Sequence, residues 1–300
     1  MSRFIFYCFL LIVLFSACVT NRIKKTSTKI ESAKQQLANA NIKIVALEAT
    51  SEQKLAEGKI DSTINALLIS KIQKIKNKND TIQQNITDLE TLMGNKINFN
   101  LNYKKLVKPK LNLLNNFDRD TSSNQAKVIV MLEEGLQNSN FHLYDLAAFF
   151  GPGKYAIPLN KSELAVKSFS PMLDSIIAFS NKYASIPRTA SLIVLGFADG
   201  QIFNTQNAAT DSLKNMIGDR NANNQVLNQK LSELRAEEII NVLSLKFLQK
   251  VGEIKGFEQF KIDYVGRGKG EAYPLPYIKD YKTDDDRRRI VLCYWAVMPD

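Results

Sequence analysis

Asp199, Asn228, Leu231 and Arg235 are the residues whose types and spacing could do recognisable chemistry. Asn228, Leu231, Ser232 and Arg235 fall at offsets of zero, three, four and seven, which places them in one stripe on a helix. An arginine there offers a planar fork that donates two parallel, charge-assisted bonds to a carboxylate. The free N–H groups of the helix's first turn favour the same charge. Asp199 follows the apolar run Ala190–Gly196, so it stands at the end of a strand, where its carboxylate can accept from an ammonium. Two plainer roles compete: Asp199 before Gly200 also fits a turn, and Arg235 also fits a solvated helix face. Little else suggests chemistry. His142 is the single histidine and has no Cys or carboxylate cluster beside it. Without a Cys/His pair, a Ser/His arrangement or a metal-ligand spacing, the expectation is a non-enzyme with no catalytic residue, no metal and no cofactor.

Three stretches place these residues in a wider pattern. The first is Leu195-Gly196-Phe197-Ala198-Asp199-Gly200. The second is Asn228-Gln229-Lys230-Leu231-Ser232-Glu233-Leu234-Arg235-Ala236. The third is Gly268-Lys269-Gly270-Glu271-Ala272-Tyr273-Pro274, followed by Arg288-Arg289-Ile290. In this order they resemble the OmpA-like peptidoglycan-binding family, over about residues 154–297. That family has a strand ending in Gly-His-Thr-Asp, a helix with Asn-x-x-Leu-Ser-x-x-Arg-Ala, a Gly-x-Gly-Glu-x-x-Pro turn and an Arg-Arg opening its last strand. The resemblance implies a ligand, the diaminopimelate of the peptidoglycan stem peptide, whose free end carries an ammonium and a carboxylate on one carbon. It makes Asp199 and Arg235 the principal gripping positions, with Asn228 and Leu231 lining the pocket. It also assigns Lys161-Ser162-Glu163-Leu164 to a polar turn after the first strand. Two departures stand out. Phe197 and Ala198 replace the usual His-Thr, and an enlarged polar loop runs over 201–223. Arg287, Arg288 and Arg289 follow Asp284, Asp285 and Asp286, which reads as a solvated loop with partial charge cancellation.

The elements that must position these residues are legible in outline. Strands are expected at Tyr155–Leu159, Ala190–Gly196, Ile262–Val265 and Ile290–Ala296, with helices at Lys167–Tyr183 and Asn224–Gln249. The fold class is therefore α+β, an OmpA-like β-α-β-α-β-β sandwich with two helices packed on one sheet. A long helical coiled coil precedes it. Ile30, Ala33, Leu37, Ala40, Ile44 and Leu47 alternate at spacings of three and four. After Gly58 a second seam runs Leu68, Ile72, Ile75, Asn79, Ile82, Ile86, Leu89 and Met93, with Asn79 as the polar position that sets register or oligomer state. The break at Gly58 allows an antiparallel hairpin or one kinked rod. Between the two regions, Ala126–Leu132 reads as a strand and Phe141–Tyr144 as another.

Compartment comes from the N-terminus. Arg3, the apolar run Phe4–Phe15 and the small residues Ser16-Ala17 before Cys18 form an export signal that ends like a bacterial lipobox. The expected organisation is a signal peptide at 1–17, a lipid-anchored helical coiled coil at 18–95, a connector with extra strands at 96–150 and the OmpA-like domain at 151–300. The formal charge of +10 suits an anionic partner such as an acidic polymer or membrane surface, and an exported location excludes nucleic acid. The expected protein is a lipoprotein of the cell outer membrane, facing the periplasm. It tethers that membrane to peptidoglycan, or serves as a structural or adaptor subunit of a trans-envelope machine. In either role the coiled coil binds a protein partner or self-associates. If Cys18 carries lipid, Cys18→Ser should leave an unprocessed or soluble protein without incorporated fatty acid. Normal labelling of that variant by radioactive palmitate would contradict the lipid attachment.

Overall fold

The protein's computed structural model describes residues 2–117, 122–138, 141–145, 150–151, 153–204, 207–252, 260–274 and 280–300. The side chains of 2–18, 122–123 and 141–145, including Cys18 and His142, lie outside what is described. The chain is a mixed α and β protein, mostly helical, and divides into two units, 1–49 with 69–130 and 50–68 with 131–300. Among the described residues, no helix is long and apolar enough to cross a membrane.

In the first unit, α1 (Ser2–Ala56) and α2 (Ser62–Met93) run antiparallel. Lys34 pairs with Glu90 at 2.6 Å, Asn41 with Asn79 at 2.9 Å and Glu48 with Lys76 at 2.6 Å, so one partner's number rises as the other's falls. The two sequence seams are the reason. Ile30, Leu37, Ile44, Ile72, Ile86 and Leu89 are all buried, and that burial drives the pairing. Gly58 takes φ +68°, a left-handed turn open to glycine, which makes the break a hairpin rather than a kink. Asn79 is buried inside the seam. It donates to Asn41 and accepts from Gln125 of α5 (Ser122–Asn138) at 2.7 Å, so its register role is intramolecular. Phe99 of α3 (Lys96–Leu101), Val107 of the π-helical turn Tyr103–Val107, and Leu114 of α4 (Lys108–Asn116) cap one end of the seam.

The second unit is built on a sheet in the order β1-β4-β2-β3, where β1 is Phe141–Asp145, β2 Arg188–Gly196, β3 Phe260–Gly268 and β4 Ile290–Pro299. Only β2 and β3 are parallel. On one face α6 (Leu159–Lys182) and α8 (Asn224–Val251) pack against Ala190, Leu192 and Val194 of β2 and Val291, Cys293 and Trp295 of β4. Successive strand residues point to opposite faces, and Tyr294, Ala296 and Met298 on the other face are buried as well. Their cover is the tip of the helical hairpin together with α5. Ile64, Leu68, Leu132 and Leu136 line a small void against Ala296 and Met298, and the Tyr294 hydroxyl donates to the Gly58 carbonyl at 3.4 Å. Lys54 ties the hairpin to α5 by donating to the carbonyls of Leu136 and Gln137 near that helix's C-terminus.

Four expectations are corrected. Ala126–Leu132 lies inside helix α5. Its run of β-branched residues suggests a strand, but the buried positions are Gln125, Ile129, Met131, Leu132, Gly135 and Leu136, a pattern of threes and fours that is helical. Tyr155–Leu159 forms no strand; the sheet's first strand is Phe141–Asp145, and Leu159 opens α6 with its side chain 95% exposed. Lys161–Leu164 consequently belongs to the first turns of α6 rather than to a polar turn. The two helices also form one layer of three rather than one of two.

Replacing Asn79 by alanine strands the buried Gln125 amide, whose N–H loses its acceptor. It should lower stability by about 1–3 kcal/mol, the cost of leaving a buried polar group unpaired, in urea denaturation followed by circular dichroism. A change within about 0.5 kcal/mol, typical of a neutral surface site, would contradict the register role.

Candidate functional site

Helix α8 begins where the Asn223 side chain accepts from the Val226 N–H at 3.0 Å, and it runs unbroken to Val251. The stripe Asn228, Leu231, Ser232 and Arg235 is on its buried side, each residue 1% exposed or less. What the stripe meets is backbone. A Cβ on Gly196 would overlap the Ser232 carbonyl, and one on Gly268 would overlap the Ser232 hydroxyl and stand 2.7 Å from the Glu233 nitrogen. Helix and strand ends therefore approach as only glycine permits. The Ser232 hydroxyl donates to the Gln229 carbonyl at 2.7 Å and accepts from the Gly270 N–H at 2.8 Å. The Gly270 carbonyl accepts from Ala198 N–H at 2.8 Å, and the Gly196 carbonyl from Lys269 N–H at 2.8 Å. The Gly268–Gly270 turn thus latches α8 to the end of β2, directly before Asp199.

Arg235 lies one helical turn beyond Ser232, fully buried. Its Nε donates to the Lys154 carbonyl at 3.0 Å and its Nη1 to the Phe197 carbonyl at 3.1 Å, and the Phe150 ring lies 5.7 Å from the guanidinium carbon. Its Nη2 has no partner among the described residues. Asp199 is 2% exposed, and its Oδ2 accepts from Arg289 Nε at 2.8 Å. Burial pushes the Arg235 guanidinium down to about 10; Asp199 opposes that shift and Arg289 adds to it. Arg235 is still a cation at neutral pH. Among the described residues, two cations and one anion leave a buried net positive charge with one unsatisfied donor. Such an arrangement attracts a carboxylate.

Of the four residues singled out by sequence, Asp199 and Arg235 share this electrostatic cluster. Asn228 donates to Glu271 Oε1 at 2.8 Å, bracing the glycine turn. Leu231 joins an apolar cluster with Ala198, Leu213, Ala222 and Leu227. None of the four faces open solvent. Arg289, the direct partner of Asp199, was not singled out; the signal for it was the Arg-Arg pair of the third stretch. The solvated-loop reading of that run holds for Arg287, which is exposed and paired with Asp285. It fails for Arg288 and Arg289. Both are buried, and Arg288 donates to the Thr283 carbonyl at 2.6 Å and packs over Tyr273. The 201–223 stretch is more than a polar loop. It carries α7 (Ala208–Ile217), whose Leu213 packs in the Leu231 cluster. Among the described residues, no group of three or more His, Cys, Asp or Glu could hold a metal.

No protein-family model and no curated protein matches the chain. Among solved structures it is similar to a MotB-like protein from Desulfovibrio vulgaris, at 13% identity and a TM-score of 0.29, over 55% of this chain and 78% of that one.

Proposed function

We propose that this protein binds peptidoglycan without catalysis, through the carboxylate-bearing end of a diaminopimelate stem peptide. Further, it is a lipoprotein attached through Cys18 to the outer membrane and facing the periplasm, so that binding tethers membrane to wall. The observation that carries the reading is the buried Arg235–Asp199–Arg289 cluster, with its net positive charge and an Arg235 Nη2 that has no partner among the described residues. Two backbone carbonyls, of Lys154 and Phe197, accept from Arg235 Nε and Nη1. Carbonyl dipoles are weak substitutes for a carboxylate, which offers full charge in the same bidentate geometry. Binding therefore exchanges the Lys154 carbonyl for the ligand carboxylate, and the segment carrying Lys154 moves aside to admit it. The ligand ammonium is received by the Asp199 oxygen that Arg289 leaves available.

Cosedimentation of the full chain with purified sacculi tests this. Arg235→Ala and Asp199→Ala each leave a charge unpaired at a desolvated site, a cost of about 2–5 kcal/mol, or roughly thirtyfold or more in affinity. Arg235→Lys should also lose binding, since a point charge cannot replace the fork. Arg287→Ala, on the solvent side, should pellet like the unmodified chain. Equal, small losses for Arg235 and Arg287, with release of the unmodified chain by moderate salt, would mean that bulk positive charge holds the wall and no specific site exists.

A further inference from the structure

The end of the first unit that lies beside Cys18 carries a surface the tether does not explain. The segment α3, π-turn and α4 is close to one continuous helix from Lys96 to Asn116: Asn102 N–H donates to the Asn98 carbonyl at 3.0 Å and Leu106 N–H to the Asn102 carbonyl at 2.8 Å. Its inner face is Phe99, Val107 and Leu114, all buried. Its outer face is also apolar. Ile97 is 71% exposed, Leu101 75%, Leu106 41% and Leu113 48%. Ile97 and Leu101 are one turn apart, and the π-turn's extra residue carries the stripe on to Leu106 and from there, two turns later, to Leu113. Large aliphatic side chains exposed in a row on a short amphipathic segment need a cover.

The charge around the stripe says what covers it. From 91 to 117 the sequence has five lysines and no acidic residue, and from 19 to 30 it has Arg22, Lys24, Lys25 and Lys29, again with no acid. Lys110 pairs with Asp88, but Lys96, Lys104, Lys105 and Lys108 are exposed, with no carboxylate partner among the described residues. The two basic stretches are neighbours. Val19 and Ile23 of α1 pack in the same cluster as Phe99 and Val107, and the Arg22 guanidinium lies 4.7 Å from the Tyr103 ring centre. Cys18 is one helical turn before Arg22, about 6 Å along the axis. An apolar stripe flanked by lysines suits the boundary of an anionic bilayer, where aliphatic side chains enter the acyl region and ammonium groups meet phosphate.

We propose that residues 96–116 form a membrane-docking foot that lies in the plane of an anionic lipid surface. Beside an acylated Cys18 it fixes how the helical hairpin leaves that surface. The proposal extends the membrane side of the proposed function, but it does not depend on acylation or on wall binding.

The chain's single tryptophan, Trp295, is buried, so an indole placed on the surface is a local reporter. The full chain carrying Leu101→Trp is mixed with vesicles of 70% phosphatidylcholine and 30% phosphatidylglycerol bearing brominated acyl chains. The indole introduced at 101 should shift to the blue and lose at least about half its emission, as expected about 5–10 Å into the interface. Ile42→Trp, at a position 68% exposed and about 36 Å further along α1 from Cys18, should be unaffected. Adding Lys104→Glu, Lys105→Glu and Lys108→Glu to Leu101→Trp should abolish most of the quenching. Equal quenching at the two positions, no pelleting of the chain with these vesicles, or protection of the 101 indole only by self-association would each overturn the foot. Quenching at 101 in a chain that shows no fatty acid on Cys18 would sustain the foot while removing the lipid anchor, and loss of sacculus binding leaves this result untouched.

Discussion

Helix α8 sits against the sheet at a distance that side chains forbid. Gly196 at the end of β2 and Gly268 at the end of β3 leave no room for a Cβ, and Gly266 would set one 3.0 Å from Ile240. This approach brings Ser232 close enough to bridge to Gly270. It also carries Arg235, one turn further, beneath the carbonyl of Phe197. A guanidinium at that depth is costly to desolvate, and the depressed Arg235 value records that cost. Two carbonyls, an aromatic face and the Asp199 carboxylate offset part of it. Among the described residues they leave over an unpaired donor and a positive charge, and the proposed ligand carboxylate answers both.

The same sheet depends on its opposite face being covered from far along the chain. The hairpin tip at 50–68 and α5 seal Tyr294, Ala296 and Met298 from water, with Gly135 permitting α5 to come within 3.2 Å of the Val297 carbonyl as measured from an added Cβ. The long helices are thus not only a spacer before a separate module. Their tip supplies a layer of that module's core.

How much of this was legible varied with the kind of signal. Periodicity sufficed for α1, α2, α6 and α8, where buried positions recur at three and four with little competing pattern. The glycine and arginine positions were readable by type because each has a steric or electrostatic requirement that few residues meet. The third layer was written only negatively, in strands whose apolar runs do not alternate, the mark of a sheet buried on both faces. Helix α5 was misread because Val128, Ile129 and Val130 favour strands locally, while burial at 125, 129, 132 and 136 is a tertiary preference that overrides propensity. Pairing between Arg289 and Asp199, ninety residues apart, has no local signature at all.

The central claim is that Arg235 awaits a carboxylate. Calorimetric titration of the full chain with a soluble stem peptide ending in diaminopimelate tests it most directly, compared with the same peptide in which the carboxylate beside the terminal ammonium is amidated. The account predicts that amidation weakens binding at least about tenfold, since it removes one charge-assisted pair of about 1.5–3 kcal/mol. Equal affinity for the two peptides, or tighter binding of the amide, would contradict it.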